Sequence, residues 1–210
     1  MPRGIASGQD MHRRLIDIAR LTCVILTVPV SRWPVRPLGD EDQRPLPGDE
    51  LMPDAHGRWT NGVTIHATPE RIWPWLAQMG CRRAGWYSYD GLDNGEVPSA
   101  ERILPEMQRV EIGDIFPWTP AASDGFIVAA VEPPKSLVLR GMAGTLYKVT
   151  WAFALDPIDE VSTRMLARSS GRYANVWAGI YLALIVRPIH FGMQRKQLLN
   201  IKRRVEASTA

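Results

Sequence analysis

The 210-residue chain has few residues of the kinds that build metal or redox sites. Its only cysteines, Cys23 and Cys81, do not form a C-x-x-C motif, which is typical of inert thiols in a reducing compartment. Its four histidines are far apart in the sequence and include no H-x-x-x-H pair. We therefore expect no metal ion and a cytoplasmic protein.

Motifs for cofactors and nucleic acids are also missing. Gly85, Gly91 and Gly95 do not follow the strand-turn-helix order that phosphate binding needs, and no serine lies in a G-x-S-x-G context. The net charge is +3, but the arginines are spread along the chain without a nucleic-acid motif. We expect no cofactor and no nucleic-acid partner.

A long hydrophobic run is absent near the N-terminus. Leu15–Val30 is apolar but interrupted by Asp17, Arg20 and Pro29, and it is shorter than the roughly 20 residues of a membrane span. Three interpretations remain open: a packed amphipathic helix, an interfacial or degenerate membrane anchor, and a poor signal peptide. Contact with a membrane surface through Leu15–Val30 is thus one expectation.

Two regions follow from composition. Residues 1–58 combine this apolar segment with a proline-rich, acidic stretch that predicts an extended linker, without a core of its own and able to wrap the domain. Residues 59–207 predict one folded domain, whose size allows a sizeable core. Eight tryptophans indicate a bulky core or an aromatic-lined cavity.

The domain opens with a strand and a helix. Val63, Ile65 and Ala67 alternate with polar residues, which is typical of a half-buried strand. Thr68 is suited to cap a helix that begins at Pro69 and ends near Met79, bent by an internal proline.

Five strand-like segments then alternate with turns. They are Arg109–Phe116, Gly125–Glu132, Ser136–Arg140, Leu146–Leu155 and Val161–Ser170. In the last segment the alternation places Arg164 and Arg168 opposite Met165, and we expect both arginines to face solvent.

The C-terminal part predicts helix. Val176–Val186 is apolar throughout, and a second stretch ends near Ala207 with an apolar stripe of Leu198, Ile201 and Val205. The basic residues opposite that stripe are typical of a solvated face, with an anionic membrane surface as the alternative. The order of elements predicts an α+β fold in which a curved antiparallel sheet grips a long C-terminal helix, with two short helices after the first strand.

Several motifs resemble the START, polyketide-cyclase and pollen-allergen helix-grip superfamily (SRPBCC), and in particular a bacterial cyclase-like branch. They are Ile72–Leu76 with Gln78–Gly80, Ala84–Asp90, Ser99–Ile103 with Pro105–Glu106, Gly113–Asp114, Thr150–Phe153 and Leu46–Leu51. The resemblance implies a helix-grip fold with a cavity between sheet and helix; it does not imply one function, because the superfamily includes lipid carriers, receptors, aromatases and cyclases.

Three functions compete. The first is binding, or transport, of a hydrophobic or aromatic small molecule or lipid. The second is a cyclase or dehydratase that uses general acid–base catalysis without a metal in the same cavity. The third is a membrane-peripheral interaction protein that uses the apolar segments at each end of the chain. The oligomeric state is left open.

Candidate residues follow from these alternatives. For catalysis they are Tyr87, Tyr89, Asp90, Glu106 and His190. For ligand binding they are Trp86, Tyr87, Tyr89, Trp118, Tyr147, Trp151, Phe153 and Met165. His66 is set aside, because the strand alternation turns it away from the cavity.

Overall fold

The structure is a computed structural model that describes residues 15–20, 22, 35–118, 120, 125–141 and 147–208. Its strands are β1 (Gly57–Ile65), β2 (Ile115–Pro117), β3 (Gly125–Glu132), β4 (Ser136–Gly141), β5 (Tyr147–Pro157) and β6 (Thr163–Tyr173). Its helices are α1 (Pro69–Ala77), α2 (Asp90–Asp93), α3 (Val176–Tyr181) and α4 (Arg187–Ala207), with short 3-10 turns at Asp49–Leu51 and Pro105–Met107. A π-helical stretch, Leu182–Val186, joins α3 to α4, and we call the continuous element Val176–Ala207 the C-terminal helix.

The strands form one antiparallel sheet in the order β1-β6-β5-β4-β3-β2. Strands β2 to β6 follow one another along the sheet, and β1 closes the far edge by pairing with β6. A register shift between Val128 and Ala130 adds a local bend. The predicted α+β helix-grip architecture is confirmed, although β2 is much shorter than the segment predicted from Arg109.

The inner face of the sheet and the C-terminal helix build the main core. Phe153 and Met165 on the sheet, and Leu198, Ile201 and Val205 on α4, are all fully buried. The stripe predicted for the second part of the helix is therefore confirmed. Helix α1 begins at Pro69 as predicted, but the Thr68 side chain does not cap it; the Thr68 carbonyl accepts the first hydrogen bonds.

The outer face of the sheet is covered as well, by the proline-rich stretch before β1. Leu46 and Met52 are buried, and Leu46 packs against Ala154 and Leu166, while Val35 joins the main core. The stretch thus wraps the domain and adds single side chains to its cores. The small alanines of β5 leave room for it, so apolar side chains that are scattered in sequence gather on the sheet.

The same stretch buries both arginines of β6. Arg164 is 7% exposed and bonds the Glu41 carboxylate, while Arg168 is 2% exposed and bonds Asp49 at 2.6 Å and Thr60 at 2.9 Å. The expectation that they face solvent was wrong because their carboxylate partners lie more than a hundred residues away in the sequence. Breaking one partner would leave a buried charge unpaired, which is costly.

The apolar segment predicted at Leu15–Val30 lies mostly outside the described residues. Residues 15–20 and 22 are helical, and Asp17 accepts a hydrogen bond from the Gly91 amide at 3.1 Å. Leu15 and Ile18 are exposed. One helix in the described part of the chain is long and apolar enough to cross a membrane, and it is the C-terminal helix.

Candidate functional site

A cavity of about 660 Å³ lies between the inner face of the sheet and the first part of the C-terminal helix. The ends of β1, β5 and β6 form its floor. The loop after α1 (residues 78–89) forms one side, and the helix closes it from above. The helix lines the cavity with small residues, Gly179 and Ala183, which leave space unfilled, and with larger ones such as Leu182 and His190. A cavity of this volume is typical of small-molecule sites.

An aromatic wall lines one side of the cavity. Trp86 and Trp151 stack with ring centroids 5.6 Å apart, and Phe126 contacts both of them edge-on or tilted. Trp118 packs against Phe126 at 4.9 Å. Because each ring is held by another ring, the wall presents a rigid apolar surface to a ligand.

Five of the predicted residues line the cavity. They are Trp86, Trp118, Tyr147, Trp151 and His190. The lining also includes residues that the sequence analysis did not single out, among them Trp59, Ser169, Asp93, Gln194 and Gln197. Gln194 and Gln197 lie one turn apart on α4. Their spacing is visible in the sequence, but two glutamines at this spacing do not by themselves indicate a binding site.

The other predicted residues lie outside the lining. Phe153 and Met165 are fully buried in the main core. Glu106 lies on the short turn Pro105–Met107 and is exposed. Tyr87, Tyr89 and Asp90 lie in or beside the loop after α1 and are not part of the lining. The structure therefore does not bring these candidates together with His190.

The loop after α1 is held by its own polar contacts. The Tyr87 hydroxyl accepts a hydrogen bond from Gln78 at 2.9 Å, and its burial raises its pKa above the ordinary value. Asp90 accepts hydrogen bonds from both the amide and the hydroxyl of Ser99. The Lys196 ammonium lies 3.9 Å from the centre of the Tyr89 ring, whose burial raises the pKa of its hydroxyl. These contacts indicate that the aromatic motif around Tyr87 and Tyr89 holds the loop in place beside the cavity.

His190 is the predicted catalytic candidate that borders the cavity. Its Nε2 lies 3.0 Å from the Ser169 hydroxyl, and its ring packs against Trp151 at 5.2 Å and Trp59 at 6.3 Å. The ring keeps some exposed surface because it faces the cavity, but its depth in the protein lowers its pKa to about 4. The imidazole is therefore neutral at physiological pH, which is the form that can accept a proton.

Asp93 supplies a second titratable group at the cavity. Its side chain is 7% exposed, and Oδ1 has no hydrogen-bond partner within the described residues. Burial, together with the neighbouring Asp90 carboxylate, raises the pKa of Asp93 to about 8. At neutral pH the carboxyl is mostly protonated and can donate a hydrogen bond. In the sequence, the only feature that pointed to Asp93 as a functional residue was its position three residues after Asp90.

More unpartnered polar atoms belong to residues that border the cavity. Within the described part of the chain, no partner is found for the indole nitrogens of Trp59 and Trp151, for Nε2 of Gln194 or for Oε1 of Gln197. Each glutamine uses its other amide atom on the protein: Gln194 accepts from Asn61, and Gln197 donates to the Trp86 carbonyl. Buried polar atoms usually have a partner, and because these atoms have almost no accessible surface, a change of rotamer would have to turn them toward a ligand's polar groups.

A metal has no evident place among the described residues, where no cluster of three histidine, cysteine, aspartate or glutamate side chains occurs. The fold and the cavity together define an α+β helix-grip protein with an internal, aromatic-walled cavity.

Comparison with known proteins gives fold-level matches. No protein-family model and no curated protein matches the sequence. An aromatase/cyclase from Streptomyces sp. R1128 is 12% identical over 73% of this chain and 96% of its own, with a TM-score of 0.44. A START superfamily protein from Mycobacterium smegmatis is 16% identical over 72% of this chain and 98% of its own, with a TM-score of 0.42. With TM-scores below 0.5 and identities below 20%, no argument about superfamily, ligand or activity rests on these matches.

Proposed function

We propose that this protein binds a hydrophobic or aromatic small molecule or a lipid in the cavity between the sheet and the C-terminal helix. The observation that carries the proposal is the cavity itself, whose volume of about 660 Å³ lies within the usual range for ligand sites. Release of water from the apolar ligand and from the wall of Trp86, Trp151 and Phe126 provides the driving force.

Polar atoms at the cavity would set the orientation of the ligand. Gln194 offers an amide donor and Gln197 an amide acceptor, and the indole groups of Trp59 and Trp151 offer further donors. A ligand with an oxygen at one end and an apolar or aromatic body satisfies both sets of groups. In a mostly apolar site, a few such polar contacts usually fix the orientation of the ligand and provide specificity.

The first test is native mass spectrometry of protein purified without detergent, followed by identification of any retained small molecule after denaturation. The second is a titration with N-phenyl-1-naphthylamine, a neutral apolar dye whose emission rises on burial. We expect saturable binding at one site. A protein that retains no molecule and does not bind the dye contradicts the proposal.

Two neighbouring residues provide a matched pair of variants for the dye titration. Ala183 lines the cavity, whereas Leu184 is 68% exposed and is not part of the lining. Ala183→Trp should take up part of the cavity and weaken dye binding, while Leu184→Trp should leave it unchanged. Equal binding by both variants places the dye elsewhere and counts against the cavity.

A second candidate function is acid–base catalysis of the cyclase or dehydratase type, and the positions of Asp93 and His190 on the same cavity favour it. In a dehydration, the Asp93 carboxyl would donate its proton to a hydroxyl oxygen of the ligand, so that the carbon–oxygen bond breaks and water leaves. Neutral His190 would accept the proton lost from the neighbouring carbon.

Turnover of the identified ligand decides this second candidate. Asp93→Asn should retain binding and lose turnover, since the amide cannot donate an acidic proton. If the unmodified protein converts neither the retained molecule nor its hydroxylated analogues, the protein is a carrier.

A further inference from the structure

The first part of the C-terminal helix has two apolar sides, and only one of them faces the cavity. The second side, which we call the outer apolar face, consists of Val176, Trp177, Ile180, Tyr181, Leu184 and Ile185. Trp177 is 75% exposed and Leu184 is 68% exposed, and none of the six lines the cavity. Large apolar side chains gathered on one exposed surface usually mark an interaction site.

The helix geometry keeps the two sides separate. Residues of the outer apolar face, such as Ile180 and Leu184, recur every four residues, and so do the cavity residues Leu182, Val186 and His190. In a regular α-helix a spacing of four drifts by about 40° at each repeat. The π-helical stretch Leu182–Val186 has more residues per turn and offsets this drift. The wider turn therefore aligns one apolar side with the cavity and the other with the exterior.

Cations surround this end of the molecule. Lys148 and Arg172 are paired in the register of β5 and β6, next to Tyr173, whose ring lies against Gly179 at the start of the helix. Arg187 lies over the Trp59 ring at the cavity. Asp54 neutralises Arg172, but no aspartate or glutamate occurs in the chain between Arg172 and Val205. Apart from the paired Arg172, the cations named at this end are Lys148 and Arg187, and the helix itself carries no acidic residue before Glu206.

We propose that the outer apolar face docks on the surface of an anionic lipid bilayer. Tryptophan and tyrosine beside aliphatic residues, with cations at the edge, is the composition of helices that lie in the membrane interface. A second copy of the chain fits less well, because it would meet this cationic end with the same positive charges and without an acidic residue on the helix before Glu206 to pair with them.

The helix lies on the bilayer and does not cross it. Its most apolar 18 residues have a mean hydropathy of 1.4, and only 11% of these residues are buried, but the stripe of Leu198, Ile201 and Val205 that follows is packed in the protein core. Because the same helix closes the cavity, docking places the cavity directly behind the lipid surface. The proposal itself rests on exposed surface and charge, and it stands whether or not the cavity holds a ligand.

Co-sedimentation of the full chain with vesicles tests the proposal. We expect binding to vesicles of phosphatidylcholine mixed with phosphatidylglycerol, weaker binding to phosphatidylcholine alone, and weakening by salt. The double variant Trp177→Ser, Leu184→Ser should lower the partition coefficient about tenfold or more. The matched control Val97→Ser, Ile112→Ser removes two equally exposed apolar side chains elsewhere and should keep the binding.

Each outcome of the vesicle experiment either supports or contradicts docking on the bilayer. Loss of vesicle binding in the first double variant, with retention in the second and unchanged urea unfolding in both, supports the proposal. Absence of binding to anionic vesicles overturns it, and so does binding that the first variant leaves intact. A stable dimer by light scattering that dissociates in the first variant overturns it in favour of a second copy of the chain.

Discussion

The two parts of the C-terminal helix differ in burial, and the difference is the opposite of what their compositions predict. Residues 176–193 are the more apolar part, yet most of their large side chains are exposed or border the cavity. Residues 194–207 carry several lysines and arginines, yet Leu198, Ile201 and Val205 have no exposed surface at all. Burial along this helix depends on what the sheet and α1 offer at each position.

The physical reason lies in the packing partners. The second part contacts α1 and β1 closely enough to fill the core, so an apolar stripe there is buried between two elements. The first part stands away from the sheet across the cavity, so its inner residues face an empty volume and its outer residues face the exterior. The difference assigns stability to the second part, and the proposed ligand and membrane sites both lie on the first.

The largest expected effect compares leucines on the two parts. Leu198→Ala should lower the free energy of unfolding by about 2–5 kcal/mol, because it leaves a hole in a filled core. Leu184→Ala, on the outer apolar face, should change it by less than about 0.5 kcal/mol. Urea denaturation followed by far-UV circular dichroism measures both. Equal losses would show that the first part of the helix also stabilises the fold.

A smaller effect compares two neighbouring arginines on the second part. Arg203 and Arg204 both donate to the same oxygen of Glu101, at 3.1 and 2.7 Å, but their side chains are 60% and 5% exposed. Arg204 also lies over the Tyr87 ring and bonds the Ala100 carbonyl.

Arg204→Ala should therefore cost about 1–3 kcal/mol in unfolding free energy, since hydrogen bonds from a buried cation are lost. Arg203→Ala should cost less than about 1 kcal/mol, as exposed ion pairs do. The same urea titration distinguishes them, and a cost for Arg203→Ala as large as for Arg204→Ala would show that exposure does not control these contacts.

The smallest expected effect, over the window from neutral pH to pH 8, is a pH dependence at the junction of the two parts, where Lys196 lies close enough to Asp93 to influence its charge. Folding raises the pKa of Asp93 to about 8, so the folded state holds a proton that the unfolded state has released. The free energy of unfolding should therefore fall as the pH rises through about 4 to 8.

His190 contributes the opposite dependence at lower pH. Its pKa of about 4 in the folded state lies below the ordinary value of 6.5, so its contribution to stability is lost as the pH falls between these values. Above pH 6.5, which is the ordinary histidine pKa, the slope belongs to Asp93 and is at most about 1.4 kcal/mol per pH unit.

Urea unfolding at a series of pH values between neutral and pH 8 measures this slope. Asp93→Asn should flatten it, while Glu106→Gln, which neutralises an exposed carboxylate, should keep it. An unchanged slope in Asp93→Asn would show that Asp93 is ionised in the folded protein.

Much of the fold could be predicted because it depends on local periodicity. The alternation in β3 to β6, Pro69 at the start of α1 and the stripe of Leu198, Ile201 and Val205 each reflect which side of one element is buried. Part of the cavity was predictable as well, since Trp86 and Trp151 are large aromatic residues on elements that face inward.

The remaining features depend on contacts between distant segments. Arg164 and Arg168 alternate as solvent-facing residues do, and only their pairing with Glu41 and Asp49 on the outer face of the sheet makes them buried. Asp93 became a cavity residue because the loop after α1 folds against the C-terminal helix, not because of its neighbours in the sequence.

Local sequence thus decided the type and order of the elements, because hydrogen-bond geometry and side-chain period act over a few residues. The tertiary structure alone decided which faces are covered, where the sheet and the helix separate, and which part of an apolar helix is left exposed. Those outcomes depend on shape and on charged partners brought together across the whole chain, and no local pattern contains them.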